Sequence, residues 1–412
     1  AGSIVGNGTM SDGVIRGTAY GAKLWAWFCE GTDGYIYMPE SYDELFEPDQ
    51  TNWPTFIHSA SWGDDMYGEY DVQCADIDRY VWEHPDFLPV FANGNAGPEE
   101  GSVGSPAVAK NVLAVGATQN ARTTPSMGWA DGNPQTTARY SSRGPCSDGR
   151  IKPDIAAPGT GILSTRAYAC SYDDYGICTN ENYAYNCGTS MATPLVAGAA
   201  AVVRQWLVEV AGFGDPAKPP TAAAMKAVLM GGATDVSKEP GTNVVAPAPN
   251  NREGWGRVNL GEALAPTNQS VKVYDRVPFI DGGESAYLVT TTNAAPLEVQ
   301  LAWVDYPADA SARQSTAKLV NDYPSTPNVT NFIFLGAAPS QTVAGDIVGK
   351  MSAPAAKTTR FTVDGDRADW WALAKTPNAE EIAAGLPANC MGVLEDVSGK
   401  RKAWVVSDKP LE

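Results

Sequence analysis

Histidine is nearly absent from this chain: His58 and His84 are the only two in 412 residues. None of the seven cysteines is spaced as Cys-x-x-Cys, and with so few imidazoles a zinc site is not expected. Basic residues are scarce as well. Twenty-nine Lys and Arg stand against 47 Asp and Glu, a net charge of −18, which argues against nucleic acid or an anionic membrane as partner. No apolar run approaches the roughly 18 residues that cross a bilayer, so no membrane span is expected. The 41 glycines and 30 prolines show no short period, which excludes a collagen-like or low-complexity chain. The chain opens Ala1-Gly2-Ser3-Ile4-Val5 without a signal peptide or initiating methionine, so either processing or a further upstream segment is expected.

What is present points to a globular protein. A hydrophobic share of 43% suffices for a large core, and 412 residues predict two or three domains at roughly 150 residues each. The acidity is uneven. Residues 1–100 hold 18 acidic side chains and only Arg16, Lys23 and Arg79, a net of −15, so the other 312 residues share −3. A solvated acidic face explains this, as do cation sites or a bias toward basic ligands. Cys170, Cys178 and Cys187 fall in one Tyr/Asn/Asp-rich loop where a local disulfide is plausible, and the odd count leaves at least one thiol over. Three sequons, at Asn7, Asn268 and Asn328, fit a secreted protein.

Short apolar runs alternate with helical stretches over residues 1–265. Strands are expected at Leu24 to Phe28, Thr55 to Trp62, Leu88 to Ala92 and Val112 to Val115. Helices are expected at Asp71 to Glu83 and, buried nearly all round, at Met191 to Val210. That alternation implies an α/β fold: a mostly parallel sheet with helices on both faces, in three layers. Gly31 to Pro54 reads as a long acidic, aromatic loop. Residues 270–412 read as a separate antiparallel β domain, with strands at Ser270 to Val277, Ala286 to Thr292, Leu297 to Val304, Asn331 to Leu335, Thr359 to Val363 and Ala403 to Val406. A short helix is expected at Ala379 to Ala384, and the pattern weakens after Tyr323.

The segment richest in chemistry is Gly188-Thr189-Ser190-Met191-Ala192-Thr193-Pro194, directly before the buried helix. A serine there has free backbone N–H groups and the positive end of the helix dipole beside it, which suits an oxyanion on a carbonyl under attack. A hydroxyl attacks poorly alone, so a neighbouring base is required. The segment is not a Gly-x-Ser-x-Gly elbow of the lipase type, because Ala192 replaces the last glycine.

Gly188 to Pro194 resembles the nucleophile motif of the subtilases, the subtilisin-like serine peptidases. Phe91-Ala92-Asn93-Gly94-Asn95-Ala96-Gly97-Pro98 resembles the family segment that supplies an oxyanion-hole asparagine, here Asn95. Ser141-Ser142-Arg143-Gly144-Pro145 and Asp148 to Gly159 resemble the run leading to the nucleophile. Gly254-Trp255-Gly256-Arg257-Val258-Asn259 resembles the close of the peptidase domain. The resemblance spans residues 1–265. Beyond it, Leu301 to Asp305 and Leu319 to Asp322 resemble recurring segments of a β-sandwich appended in a secreted branch of the family.

The family works with an Asp, a His and a Ser in that order. Ala1 to Gly8 looks like the sequence directly after the histidine motif, which places the catalytic His just upstream of Ala1 and the Asp further upstream. His58, within a strand, reads as a structural residue and His84, before Pro85 at a helix end, as an exposed one; neither is expected to serve as the base. The upstream part is expected as a separate chain after cleavage, as an omitted N-terminal segment, or as a part that has lost its catalytic residues.

The resemblance therefore implies a secreted serine endopeptidase, or its nucleophile-bearing part. Ser190 is the nucleophile and Asn95 an oxyanion donor, with peptide or protein as substrate. Main-chain segments at Asp33-Gly34-Tyr35, Ser61-Trp62-Gly63 and Ala92-Asn93-Gly94 are expected to pair with extended substrate. The N-terminal part of the protein's own precursor is the expected partner. Structural Ca²⁺ is implied with no ligand set, Asp305 and Asp322 being candidates in the appended domain. The alternative is a catalytically inactive scaffold used for binding or surface assembly.

Overall fold

The computed structural model describes residues 1–27, 37–39, 41–46, 54–121, 132–166, 182–236 and 248–264, and strand segments between 271 and 406; side chains are described to residue 276 and again over 300–308. In chain order the elements are α1 (Gly2–Val5), a 3-10 turn, α2 (Tyr42–Phe46), β1 (Ile57–Ala60), α3 (Val72–Glu83), β2 (Leu88–Ala92), β3 (Leu113–Thr118), β4 (Ile155–Pro158), β5 (Ile162–Thr165), β6 (Tyr183–Asn186), α4 (Thr189–Glu209), α5 (Ala222–Gly231) and α6 (Leu260–Leu264). Beyond these lie β7 (Val271–Phe279), β8 (Glu284–Leu288), β9 (Leu297–Trp303), β10 (Asn328–Leu335), β11 (Lys350–Met351), β12 (Thr359–Val363), β13 (Asp366–Ala374), β14 (Cys390–Asp396) and β15 (Lys402–Val406).

β1 to β4 form a parallel sheet in sequential order, with Ala60 beside Phe91, Ala92 beside Val115 and Thr118 beside Pro158. The inner strands are almost wholly buried, as expected of parallel strands covered on both sides. α4 packs against all four strands. α2 and α3 cover the sheet through an aromatic cluster, with Phe46 4.9 Å from His58 and 5.0 Å from Tyr80, and Trp62 5.4 Å from Phe91. α3 starts where Asp71 accepts a hydrogen bond from Cys74 N at 3.0 Å, an N-cap of the usual kind.

The two sheet edges differ. Along β4, Ala156 N donates to Gly256 O and Val258 N to Ala156 O, both at 2.9 Å, so the Trp255 to Val258 segment extends the sheet. β1 has no partner on its outer side among the described residues.

Several expectations change. Leu24 to Trp27 is not a buried strand: Leu24, Trp25 and Trp27 are 45%, 46% and 44% exposed and border a cavity beside β1. Apolar, β-prone residues make a strand only where a neighbouring strand takes up their backbone groups, and among the described residues none does. The long acidic loop contains a helical turn, α2, whose Leu45 and Phe46 are buried. α4 begins at Thr189, two residues earlier than expected, and is long and apolar enough to cross a membrane. Its buried residues, from Thr189 to Leu207, pack into the core, which accounts for that character. α5 was not anticipated; it is buried on every side and so lacks an amphipathic stripe.

The C-terminal strands form a sheet ordered β11-β9-β10-β7, antiparallel throughout, and a five-stranded sheet ordered β12-β13-β14-β15-β8. The β15–β8 pair is parallel, which departs from an all-antiparallel domain. Ala379 to Ala384, Asp322 and residue 265, the expected boundary, lie outside the described residues. Residues 301–305 share the α/β core: Ala302 is wholly buried, and Lys110 Nζ meets Asp305 Oδ2 at 2.9 Å with both side chains nearly inaccessible.

Candidate active site

α4 places Ser190 in its first turn, half-buried. Three features of the local sequence set its surroundings. Pro194 has no N–H, so the Ser190 carbonyl lacks its usual helical donor four residues on. That carbonyl instead accepts from Ser61 Oγ at 3.0 Å, which joins the helix start to the segment following β1. Second, the Ser190 N–H lies among the first orphan donors of the helix and has no acceptor among the described residues. Third, Gly188 adopts φ 145° and ψ 161°, a conformation that side-chain-bearing residues rarely enter.

Asn95 completes the arrangement. Its Oδ1 accepts from Thr189 N at 3.0 Å and from Thr189 Oγ1 at 2.9 Å, which leaves Nδ2 as its outward donor. A methyl group placed on Gly188 would stand 3.6 Å from Ser190 N and 3.8 Å from Asn95 Nδ2. Ser190 N and Asn95 Nδ2, two N–H donors with no acceptor among the described residues, therefore lie within 4 Å of one point beside Gly188. The positive end of the 21-residue helix α4 adds to the attraction for an anion there.

The hydroxyl of Ser190 has a different neighbourhood. Its hydrogen bond among the described residues is a long one, 3.4 Å, to Ser61 O. It contacts a cavity of about 1660 Å³ that is also bordered by β1, Leu24 to Trp27, Ala1 to Val5 and the flank of α4. His58 sits in the aromatic cluster between Phe46 and Phe91, and burial lowers its pKa to about 4, so it is neutral and weakly basic. His84 stacks on Tyr80 at 4.2 Å, and its Nδ1 lies 3.0 Å from Tyr80 O at the end of α3. Neither is hydrogen-bonded to Ser190.

Of the expected substrate-binding segments, Ser61-Trp62-Gly63 lies beside Ser190, and Trp62 and Gly63 have unpaired main-chain groups among the described residues. Ala92 is taken up by the sheet beside Val115. Asn93 is committed as well: its N–H donates to Val115 O at 3.0 Å and its C=O accepts from Gly104 N at 3.2 Å. The Gly94 carbonyl accepts from Ser142 N at 3.0 Å. These main-chain groups of Ala92-Asn93-Gly94 are thus engaged within the chain. Asp33, Gly34 and Tyr35 lie outside the described residues.

Asp305 does not suit calcium. Its carboxylate is held by the Lys110 ammonium, so a cation would have to displace a buried partner. Among the described residues no group of three or more His, Cys, Asp or Glu could hold a metal ion. The sulfur of Cys187 accepts from Gly161 N at 3.1 Å; Cys170 and Cys178, the other cysteines of the expected local disulfide, lie outside the described residues. Tyr140, which the sequence reading passed over, contacts the Gly188 N–H through its hydroxyl at 3.0 Å.

A parallel α/β sheet with a serine at the start of its central helix and two donors facing one space defines the structural class. The profile of the Subtilase family matches residues 1–256, and the chain belongs to that family. It is 34% identical over 215 residues to serine protease AprX of Bacillus subtilis, covering 50% of this chain and 47% of AprX. It is 27% identical over 323 residues to the serine protease/ABC transporter B family protein tagD of Dictyostelium discoideum, covering 57% of this chain and 18% of tagD. The chain thus spans less than half the length of these relatives. Among solved structures, sphericase aligns over 63% of this chain and 75% of its own, with 26% identity and a TM-score of 0.46.

Proposed function

We infer that the chain is the nucleophile-bearing part of a secreted subtilisin-like serine endopeptidase. The observation that carries this reading is the convergence of Ser190 N and Asn95 Nδ2 on the space beside Gly188. Ser190 Oγ attacks the scissile carbonyl; the new C–O bond places negative charge on the carbonyl oxygen, which the two donors receive. The serine proton passes to an imidazole, which returns it to the leaving amine as the C–N bond breaks. Water then hydrolyses the acyl-enzyme by the same route. Trp62 and Gly63 pair with the extended substrate as an added strand.

The imidazole and its orienting carboxylate come from a segment preceding Ala1, the N-terminal part of the precursor. The edge of β1, which has no neighbour on its outer side among the described residues and lies beside exposed Leu24, Trp25 and Trp27, supports this, since such an edge calls for another strand. The cavity there reaches the Ser190 hydroxyl, on the side where a base is required. Exposed Asp64, Asp65, Glu99 and Glu100 follow the cleft segments and favour basic residues near the scissile bond. A peptide library checks this: enrichment of Lys or Arg at some subsite is expected, and none at any subsite contradicts it.

The second reading, an inactive scaffold, draws on the lack of any base bonded to Ser190 among the described residues. Labelling the native protein with a fluorophosphonate and locating the adduct by mass spectrometry separates the two. An adduct on Ser190 is expected of the peptidase. A folded but unlabelled protein favours the scaffold.

A further inference from the structure

The two oxyanion donors belong to separate segments, one the loop following β2 and the other the first turn of α4. Tyr140 touches both. Its main-chain carbonyl accepts from Gly97 N at 2.9 Å, in the turn that carries Asn95. Its phenolic oxygen accepts from Gly188 N at 3.0 Å and donates to Gly159 O at 2.7 Å. Gly188 N also reaches Gly159 O at 2.9 Å, so these three groups form a closed triangle. Ser142 reinforces the first contact: its N–H donates to Gly94 O and its Oγ accepts from Ala96 N, each at 3.0 Å.

We propose that Tyr140 is a positioning residue for the oxyanion pocket, its backbone holding the Asn95 loop and its hydroxyl holding the Gly188 peptide. The proposal rests on the peptidase reading above. Donors stabilise a developing charge only when they are fixed in place before it appears, and displacements of well under an ångström weaken that effect. The hydroxyl bears on this spacing because it bonds the N–H of Gly188, two residues before Ser190 and beside both donors. Its loss orphans neither backbone group, since Gly188 N and Gly159 O still pair with each other. The fold should therefore tolerate removal of the hydroxyl while the pocket loosens.

Tyr140→Phe in the native protein tests this. With one hydrogen bond lost at the pocket, kcat is expected to fall about tenfold with KM unchanged, and the rate of fluorophosphonate labelling at Ser190 to fall in parallel. In an Asn95→Ala background the same substitution should cost less than about twofold, because one of the two donors it spaces is already gone. A purely structural residue would lower the melting temperature and leave these ratios alone. Unchanged kcat, or full additivity with Asn95→Ala, overturns the proposal while the peptidase reading stands. Absence of labelling in the parent protein overturns both. Should the phenylalanine variant fail to fold, 3-fluorotyrosine at position 140 keeps the ring and weakens the oxygen as acceptor; a smaller fall in kcat is then expected, and parental kcat again overturns the proposal.

Discussion

On one side of Ser190 two N–H donors face a space kept clear by Gly188; on the other, the hydroxyl meets Ser61 O at 3.4 Å and an open cavity. The donor side is built from local backbone: a helix start, a glycine with positive φ and an asparagine whose Oδ1 is tied to Thr189. The base side needs long side chains held at a distance, and in this account they arrive on another segment. The sheet repeats the contrast, with β4 extended by the Trp255 to Val258 segment and β1 without an outer neighbour among the described residues. Electrostatic preorganisation can therefore reside in one stretch of chain while proton transfer depends on a second.

Substitutions on the two sides should separate these roles. Ser190→Ala is expected to remove fluorophosphonate labelling entirely and to lower peptidase activity on the order of 10⁶-fold. Asn95→Ala should lower kcat by about 10²–10³ with little change in KM, since the lost hydrogen bond forms only as charge develops. An equal rise in KM would mean that Asn95 binds substrate in the ground state instead.

Away from the site, effects should fall on stability alone. Lys110→Met removes the ammonium from the buried Asp305 carboxylate and is expected to cost about 3–5 kcal/mol in denaturant unfolding. At temperatures where the variant is folded, its kcat should match the parent. A pH-dependent stability effect comes from Glu253, whose pKa burial raises to about 8. The folded state holds that proton at pH values where the unfolded state has released it, so this residue's contribution to stability falls as pH rises from the usual carboxylate range toward 8. Glu253→Gln should flatten that decline; a pH–stability curve identical to the parent would contradict it.

Much of the donor side was legible in the sequence, because its parts are local. Gly188 to Pro194 specifies a helix start and a serine in its first turn, and Phe91 to Pro98 places Asn95 in a turn after a strand. The β2 and β3 strands and α3 followed from short apolar runs and helical spacing. What escaped depends on long-range pairing. Leu24 to Trp27 has strand composition but no strand beside it among the described residues, and the run of Ala in α5 shows no face because every face is covered. Tyr140 escaped because it looks like any aromatic residue before Ser141-Ser142; its role depends on a contact with Gly188, far away in the chain. Asp305, a calcium candidate from its own segment, lies against Lys110, far away in the chain.

The near-absence of histidine offers the most direct test. Replacing His58 with Phe, which suits its aromatic surroundings, and His84 with Gln removes every histidine from residues 1–412. The account predicts that the native protein bearing both substitutions still labels at Ser190 at the parental rate, with a single apparent pKa near 7 from an imidazole outside this stretch. Loss of labelling in a folded variant would show that the base is His58 or His84 and would contradict the division of the site into two segments.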